Sequence, residues 1–115
     1  MSDDPGADLG LFSTRLSSYE RWTCPAGEMR PAAVLVPLRE GPEGLELILT
    51  LRPVHLSSHG GQVAFPGGRV DSLDTSRWET ALRETGEELG LSESQLTPLG
   101  ALDDLATITH FHVTP

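Results

Sequence analysis

The sequence predicts an α/β domain in which short strands form a central mixed sheet and one well-marked helix packs against it. Two observations support this fold class. Short runs rich in Val, Leu, Ile and Thr alternate with turns that contain Gly and Pro, and the segment 76–89 carries both a helix start signal and a helix stop signal. With 115 residues the chain has room for one domain with a modest core and excludes a second independent domain.

The first part of the chain is expected to contain little regular structure. Residues 1–10 are rich in Asp and Gly and predict a disordered lead before a domain at 11–115. Apolar side chains at helical spacing favour a short helix over 11–20. The apolar run at 31–38 is typical of a strand buried on both faces. The run at 45–52 is expected to return antiparallel to it after a turn.

The middle of the chain contains the clearest element. A short strand is predicted at 62–65, and Pro66, Gly67 and Gly68 are expected to break it. After an acid-rich loop at 69–74, a helix is predicted over 76–89, because Ser76 and Glu79 have capping-box spacing and Gly90 is suited to a helix C-terminus.

Two further strands are expected at 99–102 and 110–113. The second has no evident partner or closing element after it, so we expect the sheet to be incomplete at the C-terminus. The chain would then be the N-terminal portion of a longer domain, with a pocket open on one side and apolar surface where further elements would pack.

Composition limits the functions that this chain can have. Hydrophobic residues make up 37% of the chain and charged residues 22%, which is ordinary for a soluble protein, and no apolar run approaches the ~20 residues that cross a bilayer. A formal net charge of -9 argues against binding nucleic acid. The acidic opening does not resemble a secretory signal, so a cytoplasmic location is expected. Cys24 is the single cysteine, so an internal disulfide is excluded and a zinc cluster is unsupported.

Three glutamates in the predicted helix carry the chemistry. At 100° per residue, Glu84, Glu87 and Glu88 fall within an arc of about 100°. A solvated acidic face is the simplest interpretation of such a cluster. However, clustered like charges cost stability unless a cation binds them, and the Gly-Gly turn upstream offers carbonyl oxygens. The pattern therefore favours a metal site.

Arg83 is expected to pair with Glu79 and Glu87 and to hold these carboxylates together. An apolar stripe of the same helix is predicted to face the core, and it consists of Trp78, Leu82, Thr85 and Leu89.

These residues resemble a known family signature. The segment 68–91 is similar to the Nudix box, which is G, five residues, E, seven residues and REUxEExGU, where U is aliphatic. This chain has Asp74 where the box has Glu, and eight residues then precede Arg83. The coenzyme A diphosphatase branch of the family is similar on both points. The upstream segment 48–68 also resembles that branch, although Pro53 replaces a small residue and Ser57 replaces a basic one.

The resemblance implies a Nudix-like α/β/α sandwich and a metal-dependent hydrolase. Glu84, Glu87 and Glu88 would bind Mg²⁺ or Mn²⁺ together with a backbone carbonyl of Gly67 or Gly68. Glu84, assisted by Arg83, would act on the attacking water.

The substrate is expected to be a small molecule with a nucleoside diphosphate linkage. Coenzyme A is the first candidate, and it would yield 3',5'-ADP and 4'-phosphopantetheine. The alternatives are another nucleoside diphosphate derivative such as ADP-ribose, and a non-catalytic nucleotide-binding module. Arg52 is a candidate contact for substrate phosphate, because guanidinium matches phosphate oxygens; a surface charge at a strand end is an equal alternative.

Overall fold

The structure is a computed structural model that describes residues 5–51 and 61–115. Six strands lie between two helices, two further strands follow the second helix, and a short 3-10 helix lies at Glu93–Gln95 in the described part of the chain. The elements in chain order are α1 (Pro5–Ser17), β1 (Arg30–Val34), β2 (Leu38–Gly41), β3 (Gly44–Leu47), β4 (Thr50–Leu51), β5 (Val63–Ala64), β6 (Gly67–Arg69), α2 (Arg77–Leu89), β7 (Leu105–Ala106) and β8 (Phe111–Thr114).

The central sheet is mixed, as the sequence predicts. Within the described residues it has four strands in the order β6-β1-β8-β7. Strand β1 is antiparallel to β6 and parallel to β8, and β8 is antiparallel to β7. Helix α2 packs on β1 and β6, and small side chains permit this contact. Ala33 of β1 and Ala81 of α2 are almost fully buried, and so are the helix residues Thr80 and Thr85.

The buried side of α2 differs from the predicted apolar stripe. Thr85 is buried as expected, whereas Trp78, Leu82 and Leu89 are only half-buried. The helix is rotated so that Ala81 faces the sheet, because small side chains allow a closer approach to β1 and β6 than the large ones would.

The predicted strand at 31–38 is shorter in the structure. It ends at Val34, and β2 begins only at Leu38. Pro37 lies between the two strands and has no N–H to donate to a ladder. Strand β2 pairs with β3 in a separate antiparallel hairpin that turns between Gly41 and Gly44. The predicted antiparallel hairpin is thus confirmed around this turn, where Leu38 pairs with Leu47, but most of the run at 31–38 belongs to the central sheet and does not pair with 45–52.

The region around the two glycines also differs from the prediction. Strand β5 pairs with β4 outside the central sheet. Gly67 and Gly68, which were expected to break the strand at 62–65, instead form β6 with Arg69 and pair with β1. Glycine weakens a strand, but it marks places where another group comes close to the backbone.

The C-terminal strands correct two expectations. Residues 99–102 form no strand; this segment contains Gly100 with a φ of 151°, which side chains other than glycine rarely adopt. Strand β8, which was expected to lack a partner, lies between β1 and β7 inside the sheet. The predicted strand at 110–113 is thus confirmed with a shift of one residue.

Helix α1 begins at Pro5 and ends at Ser17, whereas the sequence predicted a helix over 11–20 and disorder before it. Proline is favoured at the first helical position because its fixed φ suits a helix and its missing N–H has no partner there. The helix packs on the β2-β3 hairpin. A cavity of about 830 Å³, lined mainly by apolar side chains such as Phe12, Leu35 and Leu99, lies beside it. Among the described residues, no helix is both long and apolar enough to cross a membrane.

Candidate active site: a glutamate face on helix α2

The ends of α2 are fixed by local hydrogen bonds. The Ser76 side chain accepts a bond of 3.1 Å from the Glu79 N–H, as an N-cap residue does. At the other end Gly90 adopts the left-handed conformation with a φ of 71°, and its N–H donates to the Gly86 carbonyl. Both caps were predicted. They fix where α2 begins and ends.

The three predicted metal ligands stand at different depths on this helix. Glu84 is half-buried, with 19% of its side chain exposed, and its carboxylate lies against Gly68 of β6. A Cβ atom at Gly68 would be 2.5 Å from the Glu84 carboxyl carbon, so only glycine allows this approach. Glu87 and Glu88 are exposed.

Arg83 connects the glutamates to the loop before the helix. Its Nε donates to Asp74 Oδ1 at 3.2 Å and its Nη2 to Asp74 Oδ2 at 3.0 Å, which is a bidentate pair. Its Nη1 donates to Glu84 Oε1 at 2.9 Å and lies 3.7 Å from Glu87 Oε1. Its Nη2 also reaches the Arg69 carbonyl at 3.0 Å. One guanidinium therefore joins a loop, a strand and two carboxylates.

The expected pairing of Arg83 with Glu79 is wrong. The Glu79 carboxylate accepts a bond of 2.6 Å from the Thr75 N–H, and this contact with Thr75 lowers the pKa of Glu79. The reason is positional. Glu79 lies in the first turn of α2, where unpaired backbone N–H groups attract a carboxylate.

Asp74 is the residue whose role the sequence analysis missed. Its side chain is 7% exposed and accepts hydrogen bonds from the Asp71 N–H at 2.8 Å and the Thr80 hydroxyl at 2.9 Å. The Arg83 guanidinium, followed by these donors, holds the pKa of Asp74 well below its ordinary value. Asp74 and the Glu84 carboxylate in turn raise the pKa of Arg83. The available signal was an acid just before a capped helix, which had been compared only with the spacing of the Nudix box.

The hydrogen-bond pattern of β6 distinguishes the two glycine carbonyls. Leu35 N donates to Pro66 O and Val70 N donates to Pro31 O. In an antiparallel ladder, hydrogen-bonded pairs recur at every second residue. The pair that lies midway between these two hydrogen-bonded pairs, Ala33 and Gly68, is therefore also hydrogen-bonded. The carbonyl of Gly67 therefore points away from β1, towards the side of β6 that forms the edge of the described sheet.

The oxygens on this side of α2 are of the type that a hard divalent cation prefers. The carboxylates of Glu84, Glu87 and Glu88 and the edge carbonyl of Gly67 are each a ligand type that suits Mg²⁺ and Mn²⁺, but within the described part of the chain the three carboxylates do not all come within 4.8 Å of one another. The close fit of Glu84 against Gly68 also fits a site in which a carboxylate must stay near the backbone. Arg52, the predicted phosphate contact, lies outside the described residues, as do Pro53 and Ser57.

A second cluster was not anticipated from the sequence. One potential ligand atom each from Cys24, Asp104 and His112 lie within 4.8 Å of one another. However, Arg77 Nη2 is 3.0 Å from His112 Nδ1, and arginine can only donate. His112 Nδ1 therefore carries the lone pair, and Nε2 carries the proton that it donates to the Cys24 carbonyl at 2.8 Å. A metal would need the lone pair on Nε2.

The same cluster is better explained as a set of contacts that stabilises the fold. Asp104 is nearly buried and forms an ion pair with Arg21. Burial raises the pKa of Asp104, but the Cys24 N–H and the charge of Arg21 outweigh this effect, so the pKa is lowered overall. Arg77 also donates to the Ala32 carbonyl at 2.7 Å. These contacts connect the segment before β1 with β8, β1 and the start of α2.

Comparison with known proteins bears on the family of the chain. The model of the NUDIX domain matches residues 28–115. The chain is 46% identical over 86 residues to an uncharacterized Nudix hydrolase NudL from Escherichia fergusonii, and equally to one from Salmonella paratyphi B. Each match covers 75% of this chain and 44% of the relative, so the chain spans less than half the length of these relatives.

Solved structures resemble the fold as well. A Nudix hydrolase from M. smegmatis, RenU, superposes with a TM-score of 0.61 at 29% identity, over 74% of this chain and 57% of that one. A MutT/nudix family protein from Enterococcus faecalis superposes with a TM-score of 0.60 over 95% of this chain and 42% of that one. The identity of 22% in the second case indicates a shared fold alone.

Proposed function

The chain belongs to the NUDIX domain family, and from this membership we propose that it is a metal-dependent hydrolase that cleaves a nucleoside diphosphate linkage. The observation that carries the proposal is the joint placement of Glu84 and Glu87 on one guanidinium, with Glu84 against the glycine strand. Glu84, Glu87, Glu88 and the Gly67 carbonyl would hold Mg²⁺ or Mn²⁺. Such an ion neutralises diphosphate charge and lowers the pKa of a water molecule that can attack phosphorus.

The protein residues prepare this site in two ways. Glu84 is the least exposed of the three glutamates. We assign to it the orientation or deprotonation of the attacking water. Its Oε1 already accepts a bond from Arg83, which fixes the carboxylate before any ligand binds. The donors of Arg83 are directed at Asp74, Glu84 and the Arg69 carbonyl. We therefore treat Arg83 as a positioning residue, not as a group that touches the substrate.

Coenzyme A remains our first candidate substrate. The support is the resemblance of segment 48–68 to the coenzyme A diphosphatase branch, together with Asp74 and the spacer of eight residues before Arg83. Cleavage would yield 3',5'-ADP and 4'-phosphopantetheine. The changes at Pro53 and Ser57 favour an alternative, another nucleoside diphosphate derivative such as ADP-ribose. A non-catalytic module is less well supported, because all three glutamates of the box are retained.

The test combines product identification with three matched variants. The protein is incubated with coenzyme A or ADP-ribose and Mg²⁺, and the products are identified by mass. We expect Glu87→Gln and Glu88→Gln to lower turnover by at least ~100-fold, because they remove charge that binds the ion. The control is Glu79→Gln, which makes the same chemical change in the same helix while its amide oxygen can still accept from Thr75.

Thermal unfolding separates loss of metal from loss of fold. Added Mg²⁺ should raise the Tm of the unchanged protein and of Glu79→Gln. The increase in Tm should be smaller for Glu87→Gln and Glu88→Gln, because the stabilisation by a ligand depends on its affinity for the native state. Full activity in either of the two site variants would refute the proposed site. Equal losses in Glu79→Gln would show that the wrong helix face was chosen.

A further inference from the structure

The first residue of α2 is an arginine whose side chain reaches the centre of the sheet. Arg77 Nη1 donates to the Ala32 carbonyl of β1 at 2.7 Å. The same nitrogen donates to two oxygens of β8, the His112 carbonyl at 3.0 Å and the Thr114 hydroxyl at 3.1 Å. A cation is unfavourable in the first turn of a helix, because the helix dipole places positive charge there. The contacts with the sheet, and not the local helix, therefore account for an arginine at this position.

His112 fixes the orientation of this guanidinium. The histidine is 6% exposed, and its Nε2 donates to the Cys24 carbonyl at 2.8 Å, which holds the ring in place. Its Nδ1 then accepts from Arg77 Nη2 at 3.0 Å. The two terminal nitrogens of one planar group are thus bound to different partners, so the group cannot rotate without losing contacts. A lysine has a single nitrogen and cannot reproduce this arrangement.

A second arginine attaches α2 to the same pair of strands. Arg83 Nη2 donates to the Arg69 carbonyl of β6 at 3.0 Å, and Arg69 is the register partner of Ala32 in β1. Arg77 and Arg83 therefore bind the two members of one strand pair, from positions about 9 Å apart along the helix axis. Two attachment points fix the direction of a helix across the strands, whereas a single point would let the helix pivot.

The position of Glu84 allows little pivoting. Its carboxyl carbon lies only 2.5 Å from the place that a Cβ atom of Gly68 would occupy. The side chains buried between α2 and β1 are small, such as Ala33 and Ala81, and small side chains interlock less than large ones. The two arginines therefore contribute to the direction of α2 in a way that the packing does not. A displacement of about 1 Å in a reacting group costs roughly 100-fold in rate, so the direction of the helix matters for the chemistry.

We propose that Arg77 is a positioning residue for the reaction: it sets the direction of α2 across β1 and β6, and thereby the place of the Glu84 carboxylate beside Gly68. The inference rests on the proposed function, in which that carboxylate acts on the attacking water. Arg77 acts through the helix and contacts neither substrate nor metal, because its terminal nitrogens are directed at the sheet. An arginine with a purely structural role predicts a different result. Its loss would lower the stability of the fold without changing the turnover of the molecules that remain folded.

The experiment makes the same chemical change at two arginines. Arg77→Gln removes the attachment of α2 to β1 and β8. The control, Arg21→Gln, removes another partly buried arginine, which pairs with Asp104 and donates to the Leu102 carbonyl at 2.7 Å. None of the contacts of Arg21 within the described residues reaches α2. Both variants should have a lower Tm, because each loses buried hydrogen bonds.

Turnover should distinguish the two variants. Rates with coenzyme A or ADP-ribose and Mg²⁺ are measured at a temperature where each protein is folded. In Arg77→Gln we expect kcat to fall about tenfold while KM stays within about twofold, whereas Arg21→Gln should keep kcat within about twofold of the unchanged protein. Arg77→Lys keeps the charge and part of the contacts, so it should recover part of kcat, and it replaces Arg77→Gln in the comparison if that variant does not fold.

Amide hydrogen exchange provides a second measurement that is independent of turnover. Arg77→Gln should raise the exchange rates of the α2 amides by at least about threefold relative to those of β1, and Arg21→Gln should not. If the unchanged protein cleaves neither substrate, the proposed function fails, yet this comparison still decides whether Arg77 holds the helix on the sheet. Unchanged kcat in both Arg77 variants would overturn the inference while leaving the proposed function intact. Equal losses of kcat in Arg77→Gln and Arg21→Gln would overturn it as well, because they would show a general effect of stability.

Discussion

Replacement of Gly68 by alanine should separate the chemistry of the site from the stability of the fold. The new methyl group would be 2.5 Å from the Glu84 carboxyl carbon and 2.6 Å from its Oε1. Ordinary contact begins at 3.4 Å, so the carboxylate must move by roughly 1 Å and lose its 2.9 Å bond with Arg83. A displacement of this size in a reacting group costs about 100-fold in rate.

The stability of Gly68→Ala should change little. Glu84 can swing its carboxylate towards solvent, and the loss of its bond with Arg83 costs about 1 to 2 kcal/mol. Replacing a strand glycine by alanine returns about 0.5 to 1 kcal/mol of backbone entropy. The net change in the free energy of unfolding should therefore be about 1 kcal/mol or less, which urea denaturation can measure alongside diphosphate hydrolysis.

Gly67→Ala provides the contrast one residue earlier. A methyl group there would overlap the backbone of β1 at Ala33 and would be 2.6 Å from the Val34 Cα atom, and neither can move independently of the sheet. We expect a loss of stability of about 2 to 3 kcal/mol. Gly10→Ala adds a methyl group with nothing within 4 Å of it in helix α1, so it should raise the free energy of unfolding by up to about 1 kcal/mol and not lower it. If Gly68→Ala retained full activity, or if it unfolded as readily as Gly67→Ala, the proposed role of the Glu84 contact would be refuted.

Two predictions concern buried groups beside the site. Thr85 is fully buried, and its Oγ1 has no hydrogen-bond partner among the described residues. Thr85→Val should therefore raise the free energy of unfolding by about 1 kcal/mol without changing turnover. A lower free energy of unfolding in denaturant titration would contradict this prediction. Asp74 has a lowered pKa in the folded state, so its contribution to stability is present above about pH 4 and is lost as the pH falls further. In thermal melts, Asp74→Asn should therefore be the less stable protein at neutral pH, and a gap that did not narrow below about pH 4 would argue against the pairing with Arg83.

Local sequence signals predicted α2 and its two ends well. Ser76, Glu79 and Gly90 specify the ends of the helix through bonds made within it or next to it. The spacing of Glu84 and Glu87 then fixes the angle between their side chains around the helix axis, independently of the elements that pack on α2. Such information is contained in a short segment, which is why it can be interpreted before any tertiary contact is known.

Features that depend on distant contacts could not be predicted in the same way. From the sequence, Gly67 and Gly68 are expected to break a strand. They form part of β6 because they pair with β1 and because Glu84 packs against Gly68. Strand β8 pairs with β7, which lies just before it in the chain, but also with β1, which is far away in sequence. Propensity describes a residue in isolation, whereas these positions are decided by tertiary packing.

The parallel pairing of β1 with β8 has a consequence for the order in which the protein folds. The two strands are roughly 80 residues apart in sequence, and closing so long a loop has an entropic cost before any contact forms. During synthesis, β1, β6 and α2 leave the ribosome well before β8 does. We therefore expect an early intermediate in which the helix and its glutamates rest on two strands, and the centre of the sheet is completed last. Destabilising β8 should slow the final folding phase more than the formation of the helix.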